Sequence, residues 1–484
     1  MNVGPILSLP LSALAVIGAA VGQAPQAAPI LLHAYPARVT LDDGYDSHRL
    51  IAIRSDPQGP THDVSSRIEV SFAPAGIADF HDGRLWPLRD GETTASVSCD
   101  GLSARVEVTV RGARSAPPVS FRNEVIPILT RAGCNSGACH GAAAGKNGCG
   151  LTLFGLDPAK DHRALTRDYR GRRLDCADPA ASLMLTKPTG EVRHKGRKRL
   201  EPGGPQWQTL HDWITDGAID DGDGIEPLVA LRVEPNELVL AGPERRAGIV
   251  VTAEYADGSL RDVTDLALIS SSNPTSATVA NGSITSAARG EAFVLARFGH
   301  LAAVTQAIVL AATEPWTAPP MTAHNEIDEL VQQKLRKLRL RPAPPCDDAT
   351  FLRRVCVDVI GQLPTVAEVR AFLADESPDK RARITDELLR RPEFADVWAM
   401  TWAEVLRIEA VNLETKGVHV FTRWLREELA AGTPIDAIVR AMLTASGSAF
   451  EVPAANYWIT SRDPKVLAEN AAQTFLGIRL QCAQ

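Results

Sequence analysis

Beyond its N-terminal segment the sequence has no apolar run of about twenty residues, the length that a membrane-spanning helix needs. Its eight cysteines, at 99, 134, 139, 149, 176, 346, 356 and 482, are too sparse over 484 residues to build a disulfide scaffold. No glycine-rich phosphate loop and no serine nucleophile elbow occurs. Paired carboxylates such as Glu427-Glu428 are adjacent in a helical pattern and so face different ways, as on a solvated face. Neither sign of charge dominates: the net charge of −7 is modest for this size and names no partner.

The length suits about three or four domains. Ile6 to Val21 is apolar or small and uncharged, with Gly22 and Ala24 following, which reads as an export signal over residues 1–24, although no Lys or Arg precedes it. The expected location is therefore the periplasm or cell surface. The protein is not expected to be integral to the membrane unless this segment stays uncleaved. Charge is unevenly placed: residues 160–200 carry 12 Lys/Arg against 5 Asp/Glu, a local +7 that leaves −14 on the remainder. Such a basic island either binds anionic groups or forms a solvated face.

Residues 33–112 read as a β-sandwich, with alternating runs such as Arg67-Ile-Glu-Val-Ser-Phe72 and Ala104-Arg-Val-Glu-Val-Thr-Val110 between Gly, Asp and Pro turns. Residues 228–312 follow the same plan, through Ile249-Val-Val-Thr-Ala-Glu-Tyr255 and Leu301-Ala-Ala-Val-Thr-Gln-Ala-Ile-Val309. The two align as a repeat: Asp63-Val-Ser65 with Asp262-Val-Thr264, Asp82-Gly83 with Asn281-Gly282, and Asp90-Gly-Glu92 with Arg289-Gly-Glu291. In this order the motifs resemble the bacterial Ig-like group 2 domain, a sandwich that commonly serves as a spacer or adhesive module.

Between them, residues 118–222 open with the amphipathic stretch Phe121-Arg-Asn-Glu-Val-Ile-Pro-Ile-Leu129. They close with Trp207-Gln-Thr-Leu-His-Asp-Trp-Ile214, apolar at helical spacing. A helix, a cofactor loop and a terminal helix are the parts of a small α-helical cytochrome c-like domain. After the proline-rich stretch 315–320, residues 325–484 read as mostly helical. Helices are expected at 327–338, in a segment capped by Asp347, after a Thr365/Glu368 capping box, and over 380–391, 394–409, 417–431 and 435–444.

The residues that carry chemistry are Cys134-Asn-Ser-Gly-Ala-Cys139-His140. A covalently held haem needs two thiols to add to its vinyl groups and an imidazole next to the second thioether to ligate iron. The common spacing is C-x-x-C-H. Here four small or turn-forming residues separate the thiols. Taken alone, the trio also fits a disulfide beside a chance histidine, or part of a zinc site.

The stretch Arg131 to Gly148, with Gly171-Arg-Arg-Leu-Asp-Cys-Ala-Asp-Pro179 and Ser182-Leu-Met-Leu-Thr-Lys-Pro-Thr-Gly190, resembles the cytochrome-type domain of large Planctomycete envelope proteins. The helical segment resembles that family's domain of unknown function through Asp348-Ala-Thr-Phe-Leu-Arg-Arg354, Gly361-Gln-Leu-Pro-Thr365, Thr444-Ala-Ser-Gly447 and Leu467-Ala-Glu-Asn-Ala-Ala-Gln-Thr-Phe-Leu-Gly477. The resemblance implies haem c, one per chain, with Cys134 and Cys139 as attachment points and His140 as an iron ligand. It also places the distal ligand in a loop before the last helix, where His194 lies. Met184 is the competing ligand and reads equally as core, and His162 and His211 are outside candidates. In the family the helical domain runs on into a C-x-x-C-H motif. Here the sequence stops at Cys482-Ala483-Gln484, which reads as a truncation leaving the first half of a second site.

Arg170, Arg172, Arg173, Arg193, Lys195, Arg197, Lys198 and Arg199 flank the ligand loop, where they suit haem propionates or an acidic redox partner. No base-stacking aromatics interleave them, so nucleic acid is not expected. Asp216 to Asp223 does not follow the order of an EF-hand loop and reads as a polar linker rather than a calcium site. Cys346 and Cys356 read as a pair or as packed thiols. The first functional expectation is an exported haem c protein of electron transfer, partnered by a redox protein or envelope component. The alternative is an envelope binding or scaffold protein acting through its Ig-like domains, or part of an extracellular glycan-degrading system. No catalytic set is evident, and enzymatic activity is left open.

Overall fold

The computed structural model describes residues 30–55, 59–312 and 316–480. The expected signal segment 1–24 and Cys482 lie outside them. The chain divides into two compact units, one ending at Arg341 and one beginning at Pro342.

The first unit contains both sandwiches. The N-terminal sandwich has strands β1 (Leu31–Tyr35), β2 (Arg38–Leu41), β3 (His48–Arg49), β4 (Ile51–Ser55), β5 (Thr61–Asp63), β6 (Glu69–Ala73), β7 (Ala78–His81), β8 (Arg84–Pro87), β9 (Gly91–Cys99) and β10 (Leu102–Val110). Helices α1 (Ile126–Arg131), α2 (Pro158–Thr166), α3 (Leu183–Thr189) and α4 (Pro205–Thr215) follow. The second sandwich has β11 (Leu228–Glu234), β12 (Glu237–Ala241), β13 (Arg246–Gly248), β14 (Val250–Tyr255), β15 (Leu260–Asp262), β16 (Leu268–Ser271), β17 (Ala277–Ala280), β18 (Ser283–Ser286), β19 (Gly290–Phe298) and β20 (Leu301–Leu310).

The repeat read from the sequence is a repeat of topology. The first sandwich pairs its strands as β2-β10-β9-β6, β1-β4-β5 and β3-β8-β7; the second as β12-β20-β19-β16, β11-β14-β15 and β13-β18-β17. In both, the long last strand runs parallel to its second-strand neighbour (β10 with β2, β20 with β12). Asp82-Gly83 and Asn281-Gly282 are the two-residue turns of matching hairpins, with positive φ at all four positions, as a type I′ turn requires. Burial alternates along β9 and β19, so every second side chain, among them Ala95, Val97, Ala292 and Val294, enters a core.

The matched Asp63-Val-Ser65 and Asp262-Val-Thr264 motifs do the same local work. Asp63 Oδ1 accepts from the Ser65 N–H at 2.9 Å and from its hydroxyl; Asp262 Oδ1 accepts from the Thr264 N–H at 2.9 Å and from its hydroxyl. Ser65 Oγ and Thr264 Oγ1 then accept from the backbone of β4 and β14, at Ala52 and Val251. The second carboxylate oxygen of each motif reaches the other sandwich. Asp63 Oδ2 accepts from Gly248 N at 2.6 Å, and Asp262 Oδ2 from Arg49 N at 2.9 Å. Thr40 exchanges both of its hydrogen bonds with the backbone of Leu260, and Thr61 does so with Val239. The two sandwiches thus meet through reciprocal contacts, and Ile53 of the first is part of the core of the second.

The segment between them is a loop-rich unit of four short helices around one core. Phe121, Val125, Ile128, Leu185, Leu210, Trp213 and Ile214 are buried there, and Phe121 lies against the Trp213 ring at 5.2 Å. The acidic run after α4 ties down the start of this unit. Asp221 accepts from Ser120 Oγ and Arg122 N, and Asp220 pairs with Arg122 Nε at 3.3 Å.

The expected helix at 327–338 forms as α5 (Glu326–Lys337), but it groups with the first unit rather than with the helical segment. Lys334 reaches Glu291 and Lys337 reaches Glu237 on the second sandwich, and Arg289 donates to the carbonyls of Leu338 and Arg339.

The second unit is helical: α6 (Asp348–Ile360), α7 (Val366–Ala374), α8 (Lys380–Leu388), α9 (Pro392–Val405), α10 (Ala410–Ala430), α11 (Ile435–Thr444) and α12 (Pro464–Leu476). Asp347 caps α6, and Thr365 and Glu368 form the expected capping box on α7. The expected helix 380–391 stops at Leu388, because Pro392 holds Arg391 extended (ψ 145°) and starts α9 at its first turn. Leu352, Cys356, Ile360, Phe372 and Leu388 make one core, and Phe421, Leu425, Ile438, Met442 and Tyr457 make another. Cys356 is thus a packed thiol, and Cys346 is also free. No helix of the described residues is long and apolar enough to cross a membrane.

Candidate functional site

Pro127 lies inside one continuous helical segment, in which the π-helical turn Phe121–Val125, capped by Ser120, runs directly into α1. The helix ends at Arg131, and the chain then folds into a closed loop. The Cys134 N–H donates to Leu129 O at 2.8 Å, Cys139 N–H to Ser136 O at 2.9 Å, and His140 N–H back to Cys134 O at 2.9 Å. That last bond closes the four-residue spacing between the thiols. Gly141 follows because a Cβ there would lie 2.0 Å from the Asn135 carbonyl oxygen, so no larger residue fits. Cys134 and Cys139 are both free thiols, each partly buried. Burial pushes the Cys134 thiol up to about 11, with the neighbouring Cys139 acting in the same direction.

His140 is held on both sides. Its carbonyl accepts from Leu151 N at 2.9 Å, and its Nδ1 lies 3.1 Å from the Cys149 carbonyl oxygen. A carbonyl only accepts, so Nδ1 carries the proton and Nε2 keeps its lone pair. His194 repeats this arrangement, with Nδ1 3.2 Å from the Arg197 carbonyl oxygen. The two rings lie within 6° of parallel with centroids 6.3 Å apart.

The other candidates are occupied differently. Met184 is 8% exposed and packs in the core beside Leu185. His162 Nε2 lies 2.7 Å from the Ala218 carbonyl oxygen, and the ring packs against Phe121 and Trp213. His211 stacks on Trp207 at 5.0 Å. Of the basic residues, Arg173 is a structural pin that donates to the carbonyls of Ala164, Asp168 and Gly148. Arg199 donates to Gly196 O, and Lys198 pairs with Glu201. Arg170, Arg172, Arg193, Lys195 and Arg197 remain exposed. Leu153, Tyr169 and Val192 are exposed as well, at 47, 61 and 38%, so apolar as well as basic side chains from the loops of this unit face solvent.

Among the described residues, no group of three or more His, Cys, Asp or Glu side chains is placed to hold a metal ion by itself. Two features were not picked out from the sequence. Asn135 is fully buried inside the cysteine loop, where its amide donates to Thr130 Oγ1 and its Oδ1 has no partner among the described residues. Cys149 serves through its carbonyl, a role that no side-chain pattern reveals. A cavity of about 590 Å³ lies in the helical unit, lined by Trp402, Val439, Leu443 and Phe475 among others. It holds no cysteine or histidine.

Residues 326–484 match a family model described as PSCyt2, a protein of unknown function (DUF1549). No curated protein matches the chain. Among solved structures, domains 1–6 of the surface layer protein SbsC align over 60% of this chain at 10% identity with a TM-score of 0.16, and the chain covers 29% of that structure. Domains 5–6 of the S-layer protein SbsC align over 59% of this chain and 100% of theirs, at 11% identity and a TM-score of 0.24. The D00-D0 domain of intimin aligns over 58% of this chain and 96% of its own, at 10% identity and 0.14. Scores this low add nothing to the topology given by the strand pairing.

Proposed function

We propose that this chain is an exported envelope scaffold whose paired Ig-like sandwiches carry a small cytochrome c-like unit with one covalently bound haem. The scaffold part has the firmer support, because the two sandwiches that it requires are present and joined by reciprocal contacts. The haem part rests on one observation: the parallel His140 and His194 rings, each with its Nδ1 committed to a backbone carbonyl. Among imidazole-binding metals, a haem iron needs only two such protein nitrogens, because the porphyrin supplies the rest of the coordination.

In this reading Cys134 and Cys139 would hold the haem through thioether sulfurs, and His140 and His194 would offer it their imidazole nitrogens. The Cys149 and Arg197 carbonyls orient the two imidazoles and make them more basic. The exposed Arg193, Lys195 and Arg197 offset propionate charge. Bound there, haem would supply one-electron transfer. The bound state is tested on protein made with cytochrome c maturation machinery. Two histidines give a low-spin spectrum without the near-infrared band of a methionine ligand. A high-spin spectrum from the parent protein would reject the His140/His194 pair.

A further inference from the structure

We infer that the second sandwich is a structural part of the haem site, and that Arg131 is the positioning residue through which it acts. The inference rests on the haem reading above. Arg131 ends α1 immediately before the Gly133-Cys134 turn. Its Nη1 donates to the carbonyl of Thr264 at 3.0 Å and of Ala267 at 3.4 Å, both in the turn after β15. That turn is the matched Asp-Val-Thr motif, closed by the Asp262 carboxylate and held from the first sandwich by Arg49 N and the Arg84 guanidinium. The other end of the same helical segment is tied to β15, the strand that leads into this turn. Arg261 pairs with Glu124 at 2.7 Å, while Glu124 Oε2 accepts from Ser120 N. Leu266, within that turn, packs against the core of the loop-rich unit between the sandwiches. A third contact reaches the loop itself: Arg297 of β19 lies over the Phe154 ring, whose backbone N–H donates to Asn135 O.

The consequence follows from where the two imidazoles originate. His140 is bonded into the cysteine loop through Cys134 O, so it moves with the end of α1. His194 belongs to a separate loop fixed within the loop-rich unit, where Arg199 N and Leu200 N donate to Pro188 O. The ring separation therefore depends on how α1 is seated, by the core it shares with Leu185 and Leu200 and, at Arg131, by the turn after β15. A guanidinium donating to two backbone carbonyls makes charge-assisted bonds of fixed direction, which a lysine reproduces only in part.

Arg131→Met keeps the length and packing of the side chain and removes its donors; Arg131→Lys restores the charge. Hydrogen exchange is read on the protein made without haem maturation, and the spectrum and midpoint potential on the protein made with it. In the Met variant, peptides covering 132–141 are expected to exchange about tenfold faster while β19 and β20 are unchanged. Its loaded form is expected to show a mixed-spin spectrum and a shifted potential. Arg131→Lys should fall between the Met variant and the parent. Unchanged exchange in 132–141 together with a parental spectrum and potential overturns the inference. A parent that takes up no haem removes the haem reading and this inference with it, whereas the exchange result still decides whether the turn seats the loop.

Discussion

Asp63 and Asp262 occupy the same place in the two sandwiches, and each accepts a backbone hydrogen bond from the other sandwich, at Gly248 and Arg49. The two ends of this relationship are not equal. Asp262 also receives Arg84, and its side chain is 1% exposed. Burial works against its charge, but His48, Arg84 and the Thr264 hydroxyl hold the carboxyl below its ordinary range. Removing it leaves the Arg49 and Thr264 N–H groups without their acceptor at a buried position and takes one carboxylate from Arg84, which keeps Ser47 and Asp265. Asp262→Ala is expected to cost about 3–5 kcal/mol of unfolding free energy, and Asp63→Ala about 1–2 kcal/mol. Denaturant melts of the two variants test the order; equal losses would show that the two contacts are equivalent.

Asp46 gives a pH dependence of opposite sign to the usual carboxylate. Burial pushes its carboxyl up to about 6, helped by the charges of Asp43 and Asp42 and opposed by the Asp42 N–H and Arg261. The folded state therefore holds this proton more tightly than the unfolded chain. The contribution to stability is full below about pH 4 and is lost as pH rises through 6. Asp46→Asn removes the titration. It should be more stable than the parent at pH 7 by at most about 3 kcal/mol, at ~1.4 kcal/mol per pKa unit, and the gap should close toward pH 4. Paired melts across this range check both the size and the direction.

Thr365 caps α7 with both halves of the box in place, and Glu368 also receives Arg391 from the start of α9. Thr365→Ala is expected to destabilise the helical unit by about 1 kcal/mol. Tryptophan fluorescence and far-ultraviolet circular dichroism should both report the loss in that unit's transition.

These elements differ in how legible they were. The Asp-Val-Ser and Asp-Val-Thr motifs, the Asp-Gly and Asn-Gly turns and the Thr365 box are local patterns, and each appears where the sequence places it. The contact between the sandwiches was not legible, because Thr40, Thr61 and Gly248 are ordinary residues whose partners lie about two hundred positions away. The assignment of α5 to the first unit failed to show for the same reason: its lysines read as solvated until Glu237 and Glu291 are brought beside them. At the site, the cysteines and both histidines were legible as residue types. Their orienters were not, since Cys149 and Arg197 act through backbone carbonyls.

Gly196 tests the His194 side of the site alone. A Cβ at this position would lie 2.6 Å from His194 Cε1 and 3.0 Å from its Nε2, so the ring must move. Gly196→Ala leaves Cys134, Cys139 and His140 untouched. The expected outcome is unchanged covalent haem content with loss of the low-spin spectrum and new binding of carbon monoxide. A Gly196→Ala spectrum identical to the parent's would separate His194 from the iron.

The central claim is that Cys134 and Cys139 hold haem covalently, and acid-acetone extraction of protein produced with cytochrome c maturation machinery tests it most directly. Haem that stays with the parent polypeptide, and is absent from the Cys134→Ala/Cys139→Ala double variant, is the result predicted. Haem that extracts freely from the parent, or that remains equally bound in the double variant, would contradict it.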